Sequence, residues 1–376
     1  MTIPYWRLSG FYFFYFAFVG AMAPFWSLYL EDLAFSALQI GILMSLFQVM
    51  RIFAPNVWGA LADRSGKGVH IVQIAAFASL LSFTGVFFGT SFWWMFVMMS
   101  LMSFFWAAPM PVVEAMTLGY FERDLTHYGK VRLWGSIGFI VAVLGVGYAL
   151  DIVTIKRLPW LVLGLMAAMV LFSLWLPKTR PVHAKRDAAP IWTLLRRPGV
   201  LGLLAACFLM AAAHGPYYTF YSVYLQEYGY AKKSIGMLWA VGVVCEVAVL
   251  FWMPRLSEWF NLRNILLASF LAAGARFLLI AYGVEHLSLL LLAQTLHAIT
   301  FGAYHAAAAA TIHGLFRGPH EARGQALYGS ISFGAGGTVG GLYSGYTWQH
   351  FGPSATFTIA ALCALAGYAV LARSRT

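Results

Sequence analysis

The chain alternates between long apolar stretches and short polar connections over its whole length. A helix needs roughly 20 apolar residues to cross the hydrocarbon core of a bilayer, and irregular backbone cannot face lipid. The pattern therefore predicts an all-α membrane protein with twelve transmembrane helices. The predicted spans lie near residues 8–30, 40–61, 69–90, 91–119, 131–150, 158–176, 200–225, 234–253, 264–283, 287–312, 325–348 and 354–372.

One connection is longer and more basic than the others. Residues 177–199 carry six Lys or Arg residues and a single acid, Asp187. This composition predicts a cytoplasmic basic linker between an N-terminal six-helix bundle, residues 1–176, and a C-terminal six-helix bundle, residues 200–376.

The charge pattern predicts the orientation of the chain. Only 10% of the residues are charged, against about 25% in soluble proteins. Of the 24 Lys and Arg residues, 17 lie in the connections and termini on one side, four lie in connections on the other side, and three lie within spans. By the positive-inside rule we expect a multi-pass protein of the cytoplasmic (inner) membrane with both termini cytoplasmic. The net charge of +11 is then explained by the basic residues on the cytoplasmic side, so we expect no nucleic-acid partner.

An internal repeat supports two similar halves. Leu133-Trp-Gly-Ser-Ile-Gly-Phe139 and Leu327-Tyr-Gly-Ser-Ile-Ser-Phe333 are alike at an offset of 194 residues. The segment beginning at Gly59 matches the one beginning at Pro254 at nearly the same offset. Chance similarity between glycine-rich helices is the alternative. Parallel six-helix halves around a central site recur among transporters.

The segment after the second span reads Gly59-Ala-Leu-Ala-Asp63-Arg64-Ser-Gly66-Lys67. Its glycines permit a tight turn, and an aspartate can accept hydrogen bonds from a helix start. The segment resembles the conserved G-x-x-x-D-R-x-G-[RK] loop of the major facilitator superfamily. The resemblance implies a gating loop on the cytoplasmic side, with Asp63 and Arg64 as its main residues.

Three further segments indicate which group of the superfamily the chain resembles. They run from Arg51 to Asp63, from Tyr128 to Gly138 and from Leu296 to His305, and they resemble the 3-phenylpropionate transporter group. That group is related to the lactose permease type of proton–sugar symporter.

Several charged positions match the lactose permease type. Glu114 lies 18 residues before Arg132, the spacing of that type's substrate-site acid and arginine. Glu246, Arg276 and His297 fall where its functional acid, arginine and histidine lie.

The sequence also departs from that type. Thr300 stands where the family has a proton-carrying glutamate, and the acids of its seventh span are missing, with Gly215 and Tyr218 in that region. The resemblance therefore does not by itself imply proton coupling or a sugar substrate for this chain.

Charged residues inside a bilayer are costly and by default mark a functional site. The net excess of one arginine over the acids within the predicted spans suits an anionic substrate. The predicted substrate-binding residues are Arg132, Glu114, Arg276, Arg51, Trp134 and Tyr218, and the predicted proton-coupling residues are Glu246, His297 and His305.

Each assignment has a structural alternative. Arg132 would reach the interface, Glu246 would form a permanent ion pair, and Arg51 and Arg276 would brace helices. The histidines would be hydrogen-bonded core residues, and the aromatic residues would form lipid-facing belts.

Motifs for enzymatic chemistry are missing from the sequence. It contains no GxSxG, HExxH or GK[ST] phosphate loop, so we expect a non-enzyme without cofactors. Cys207, Cys245 and Cys363 have no metal-site spacing, so no metal is expected.

The favoured prediction is a secondary active transporter that imports a small organic anion, such as an arylalkanoate, with protons by alternating access. A proton-coupled sugar or nucleoside symporter is one alternative, and a non-transporting membrane sensor is another. The expected partners are a small-molecule substrate, protons and the lipid bilayer, and the chain is expected to act as a monomer.

Overall fold

The computed structural model describes residues 4–121, 125–177, 199–316 and 320–374, except for the side chains of Asp63, Leu125, Thr126, Glu321 and Ala322. Over these ranges the chain is helical, with short connections and no β-strand. Residues 178–198, which hold most of the predicted linker, lie outside the described part.

The helices follow the predicted spans. In the described part of the chain, eleven apolar helical stretches are long enough to cross a membrane. The last of them contains Gly352 at φ +80°, followed by Pro353, and this break divides it in two. The prediction of twelve spans is therefore confirmed. The helices are α1 (Tyr5–Asp32), α2 (Ala37–Ser65), α3 (Gly68–Thr84), α4 (Phe92–Trp106 and Pro109–Tyr120), α5 (Leu125–Ile152), α6 (Leu158–Leu174), α7 (Val200–Ala213 and Gly215–Glu227), α8 (Lys232–Trp259), α9 (Leu262–Gly283), α10 (Leu287–His297 and Tyr304–Leu315), α11 (from Glu321 to residue 351) and α12 (353–373).

Two helices are broken where the sequence places proline. Helix α4 stops at Trp106 and resumes at Pro109, and α7 stops at Ala213 and resumes at Gly215, just before Pro216. Proline has no backbone N–H and its ring clashes with the preceding turn, which weakens the helix at these two points. Pro24, Pro55 and Pro254 nevertheless lie inside the continuous helices α1, α2 and α8.

Two π-helical stretches interrupt α10 and α11. They cover Ala298–Ala303 and Gly329–Gly336. Such stretches add a residue to the helical turn, turn the following side chains to a new direction and often occur at functional sites.

Helix α2 is longer than the predicted span. It continues to Ser65, so Gly59 and Arg64 lie within the helix rather than in a loop. The turn is made by Gly66, whose φ of +64° is the left-handed conformation that commonly ends helices. Lys67 then precedes α3. The backbone of Asp63 is helical, whereas its side chain lies outside the description.

The chain forms two compact units. Unit 1 contains residues 1–35, 53–184 and 231–237, and in it α1 packs along α5 and α6 while α3 packs against α4. Unit 2 contains residues 36–52, 185–230 and 238–376. Each unit thus includes one short segment from the other half of the sequence. The predicted bundle boundaries at 176 and 200 stay a prediction.

Candidate functional site

In unit 1, Arg132 and Glu114 form an ion pair. The Arg132 Nε lies 3.8 Å from the Glu114 Oε1, and the two side chains are 34% and 38% exposed. Glu114 belongs to the part of α4 that follows the proline break, and Arg132 belongs to α5. Two residues that the sequence analysis assigned to the substrate site therefore lie next to each other, and their assignment to that site stays a prediction.

Aromatic rings of α1 cover one side of the same guanidinium. The Arg132 Cζ lies 4.2 Å from the ring centre of Phe16 and 5.7 Å from that of Tyr12. A cation above an aromatic face is attracted by the ring quadrupole. Arg132 is thus held by a ring and a carboxylate, and its side chain keeps partial exposure through which an anion can approach.

Trp134 does not join this cluster. Its indole Nε1–H donates to the Tyr5 hydroxyl at 3.0 Å, and its ring contacts Trp6. Two positions along a helix turn a side chain by about 200°, so Arg132 and Trp134 point in nearly opposite directions. The prediction that Trp134 binds substrate gains no support from its contacts.

In unit 2, Glu246 and His297 form a second pair. The His297 Nε2 lies 3.7 Å from the Glu246 Oε2. Two glycines allow this approach, because a Cβ at Gly302 would lie 3.0 Å from the Glu246 Cγ and one at Gly242 would lie 3.2 Å from the His297 Cδ2. The π-helical stretch of α10 begins directly after His297.

Arg276 is enclosed in the same unit. Its residue exposure is 0%, its Nε–H donates to the Ala293 carbonyl at 3.0 Å, and its Nη1 lies 3.4 Å from the Thr300 hydroxyl oxygen. The Tyr217 ring centre lies 4.1 Å from the guanidinium carbon. These contacts tie α9 to α10 and to α7, which matches the helix-bracing alternative for Arg276.

Thr300, at the position of the lactose permease type's proton-carrying glutamate, therefore makes a structural contact instead of binding a proton. Thr300 lies beside the Arg276 guanidinium and cannot carry a proton in the way a carboxyl group can. Within this cluster the carboxyl group that faces an imidazole is Glu246.

The structure also brings in residues that the sequence analysis did not select. The Tyr217 hydroxyl donates to the Gln294 Oε1 at 3.0 Å, and Gln294 is fully buried. A signal was present in the sequence, since a glutamine three residues before His297 in an apolar helix shares its face.

The remaining predicted residues lie elsewhere in unit 2. Arg51 is exposed, with its guanidinium carbon 5.9 Å from the ring centre of Phe333. His305 contacts the same ring and lies 3.3 Å from the Tyr328 hydroxyl. Tyr218 packs against the rings of Tyr217, Trp239 and His214.

Comparison with known proteins identifies the family. A family model described as the MFS_1 like family matches residues 5–359. The chain belongs to this family. It is a transporter of the major facilitator type and a multi-pass membrane protein.

Two relatives of this major facilitator transporter are similar over nearly their whole length. The "Probable 3-phenylpropionic acid transporter" of Escherichia coli strain K12 is 28% identical over 365 residues, covering 96% of this chain and 95% of the relative. The maltose permease of Geobacillus stearothermophilus is 27% identical, covering 96% and 92%. A crystal structure of the nucleoside transporter NupG superposes with a TM-score of 0.81 at 20% identity, covering 98% and 99%, which shows a shared fold.

Proposed function

We propose that the chain imports a small organic anion together with protons, and that the substrate is an arylalkanoate of the 3-phenylpropionate kind. The observation that carries the proposal is the Arg132 site, where a partly exposed guanidinium lies beside Glu114 and over the Phe16 ring. A guanidinium can bind a carboxylate through two parallel hydrogen bonds, and the Phe16 and Tyr12 rings offer apolar contacts to an aryl group. The similarity to a 3-phenylpropionic acid transporter supports the same class of substrate.

Proton coupling is assigned to the Glu246–His297 pair. A carboxyl group and an imidazole 3.7 Å apart are a suitable pair of proton-binding groups, because each can bind or release a proton next to the other. His305 is a second candidate, and its contact with Tyr328 offers a hydroxyl for relay. Substrate and proton would then move in one cycle of alternating access.

Uptake into proteoliposomes tests both parts of the proposal. Labelled 3-phenylpropionate should accumulate only with an inward proton gradient. Glu246→Gln should abolish accumulation but retain exchange of labelled for unlabelled substrate. Glu285→Gln, which alters an exposed acid between α9 and α10, is the matched control and should behave like the native chain. Accumulation that is indifferent to the gradient would refute coupling.

A sugar or nucleoside is the second candidate cargo, favoured by the 27% identity to a maltose permease. Binding of neutral glycosides or nucleosides that survives Arg132→Ala would support this candidate over the anion. A thermal-shift screen with aromatic acids, sugars and nucleosides would separate the two. A non-transporting sensor would instead show no uptake, and Glu246→Gln would alter only its stability.

The proposed setting is the cytoplasmic membrane, with both termini in the cytoplasm and the chain acting as a monomer. The turn at Gly66 and Lys67, with Arg64 exposed in the last turn of α2, would belong to the cytoplasmic gate together with Asp63.

A further inference from the structure

Unit 1 contains a cavity at one end of α1 and α6. The cavity has a volume of about 480 Å³ and is lined by Arg7, Leu174, Trp175, Leu176 and Pro177. Arg7 belongs to the first turn of α1, and the other lining residues are the last residue of α6 and the three that follow it. Sites for small molecules have volumes of roughly 300–1,000 Å³, so the cavity can hold a substantial part of a bound molecule.

The contact between α1 and α6 holds Trp175 near the first turn of α1. The centre of the Phe172 ring lies 5.3 Å from that of Trp175 and 5.1 Å from that of Phe14. The Phe172 ring also lies against Gly10, where a Cβ would overlap it. Helix packing therefore sets the distance between the aromatic and the cationic side of the cavity.

The end of α6 is closed without any help from Arg7. The Ser173 carbonyl accepts a hydrogen bond from the Gln73 side-chain amide of α3 at 3.2 Å. The Trp175 and Leu176 backbone N–H groups donate to the Phe172 and Ser173 carbonyls. Basic side chains can cap the last carbonyls of a helix, but these carbonyls already have donors.

The Arg7 guanidinium is therefore available to a ligand. Its side chain is exposed and forms an ion pair with no carboxylate of the described side chains. An arginine in a cavity with apolar and aromatic walls provides one positive charge and a planar set of N–H donors. This arrangement favours a ligand with an oxyanion and an apolar body.

Apolar side chains continue from the cavity along α6. Leu171, Leu174 and Trp175 are 59%, 58% and 61% exposed. They are three and four residues apart, so they lie on one face of the helix. An exposed apolar face of a membrane-spanning helix is covered by lipid chains.

Aromatic residues mark the depth of the cavity in the bilayer. Tyr5 and Trp6 directly precede Arg7, and their side chains form one group with Trp134. Tyrosine and tryptophan are enriched where the hydrocarbon core meets the headgroups. The cavity therefore lies where a lipid phosphate would be.

We infer that this cavity binds an anionic phospholipid, with the phosphodiester group against the Arg7 guanidinium and one acyl chain along Leu171 and Leu174. A guanidinium can bind phosphate oxygens through two parallel hydrogen bonds, and the Trp175 indole N–H offers a further donor. A zwitterionic lipid carries a cationic group beside its phosphate, which Arg7 repels, so an acidic lipid binds better. The inference does not depend on which substrate the chain transports.

Protection of a thiol in the cavity tests this inference in detergent. The background is a chain in which Cys207, Cys245 and Cys363 are replaced by alanine, and Leu174→Cys places a thiol in the cavity lining. Phosphatidylglycerol should slow the reaction of this thiol with a hydrophilic maleimide at least about threefold. Phosphatidylcholine should protect much less, and inorganic phosphate, the probe for a free anion, should not protect.

Arg7→Gln should raise the phosphatidylglycerol concentration needed for half-protection about fivefold, the effect of one basic residue at an anionic membrane surface. Arg7→Lys, which keeps the charge, should retain most of the protection. The matched control is Arg255→Gln, which removes an exposed arginine of α8 and should leave protection unchanged. Val141→Cys, an exposed apolar position of α5, reports general effects of added lipid on labelling and should react at the same rate with either lipid.

Four results would overturn the inference. They are equal protection by the two phospholipids, protection by inorganic phosphate alone, unchanged protection in the Arg7→Gln chain, and a loss of protection in the Arg7→Lys chain as large as in the Arg7→Gln chain. A thiol at position 174 that reacts slowly without lipid and is not slowed further would show that protein or detergent fills the cavity, and this result too would refute the lipid site. The labelling uses no transport substrate, so a wrong substrate class would not change its outcome.

Discussion

The side chains around Arg132 explain why an arginine occupies this position. Its guanidinium plane lies over Phe16 while its Nε faces Glu114. A lysine ammonium is a compact, strongly hydrated charge that cannot stack on a ring or bind a carboxylate through two parallel bonds. The site therefore depends on the shape of the cation as well as on its charge.

Arg132→Lys should reduce the initial rate of 3-phenylpropionate uptake by at least about tenfold, since one charge-assisted hydrogen bond is worth about 1.5–3 kcal/mol. Radiolabel uptake at low substrate concentration is the measurement. The matched control is Arg157→Lys, which changes an exposed arginine between α5 and α6 and should leave uptake intact. Unchanged uptake in the Arg132 variant would remove Arg132 from the binding site.

The sequence analysis selected Arg132, Glu114, Glu246 and His297 from their positions in the apolar spans and from the family resemblance, but it did not predict which of them would pair. The enclosure of Arg276 could not be predicted either, because apolar residues surround it on the helix and periodicity gives no facing direction in an all-apolar segment.

At the scale of elements, proline and glycine set most of the helix breaks. The breaks before Pro109 and Pro216 lie where local steric effects of proline predict them. Other prolines, at positions 24, 55 and 254, lie inside unbroken helices, so proline by itself does not decide which helix breaks. The π-helical stretches in α10 and α11 depend on packing against neighbouring helices, and no local sequence pattern predicts them.

Gly147→Ala should lower the thermal stability of the detergent-solubilised chain, by about 1–3 kcal/mol, because its methyl group would press on the Lys232 carbonyl. Gly145→Ala on the same helix is the matched control. A Cβ at Gly145 meets nothing within 4 Å, and alanine favours a helix over glycine by up to about 1 kcal/mol. Equal melting temperatures for the two variants would contradict the close approach of α5 to α8 at Gly147.

Gly352→Ala should also destabilise the chain, since the backbone at this break between α11 and α12 has φ +80° and ψ 178°. This region is essentially restricted to glycine, and another residue costs about 1–3 kcal/mol there. Gly164→Ala, at an open helical position of α6, serves as the control and should be neutral or stabilising. The unfolding midpoint in a thermal ramp distinguishes the two variants.

At the scale of the whole molecule, the internal repeat is seen in the helices, whereas the charged pairs of the two units differ. Unit 1 holds an arginine with a carboxylate, Arg132 with Glu114, whereas unit 2 holds a carboxylate with an imidazole, Glu246 with His297. In the proposed symport, unit 1 would bind the substrate through Arg132 and unit 2 would bind the proton through Glu246 and His297.

The positive-inside pattern predicts the orientation of the whole chain in the membrane. With 17 of 24 basic residues assigned to one side, reversing the chain would place most of its positive charge on the outer face. In intact cells expressing a chain free of native cysteines, Lys156→Cys should react with a membrane-impermeant maleimide from outside. Arg255→Cys should react only after permeabilisation. Both positions are exposed, so access to the reagent and not burial decides the outcome. The reverse labelling pattern would overturn the orientation and, with it, the assignment of the Gly66 turn to the cytoplasmic side.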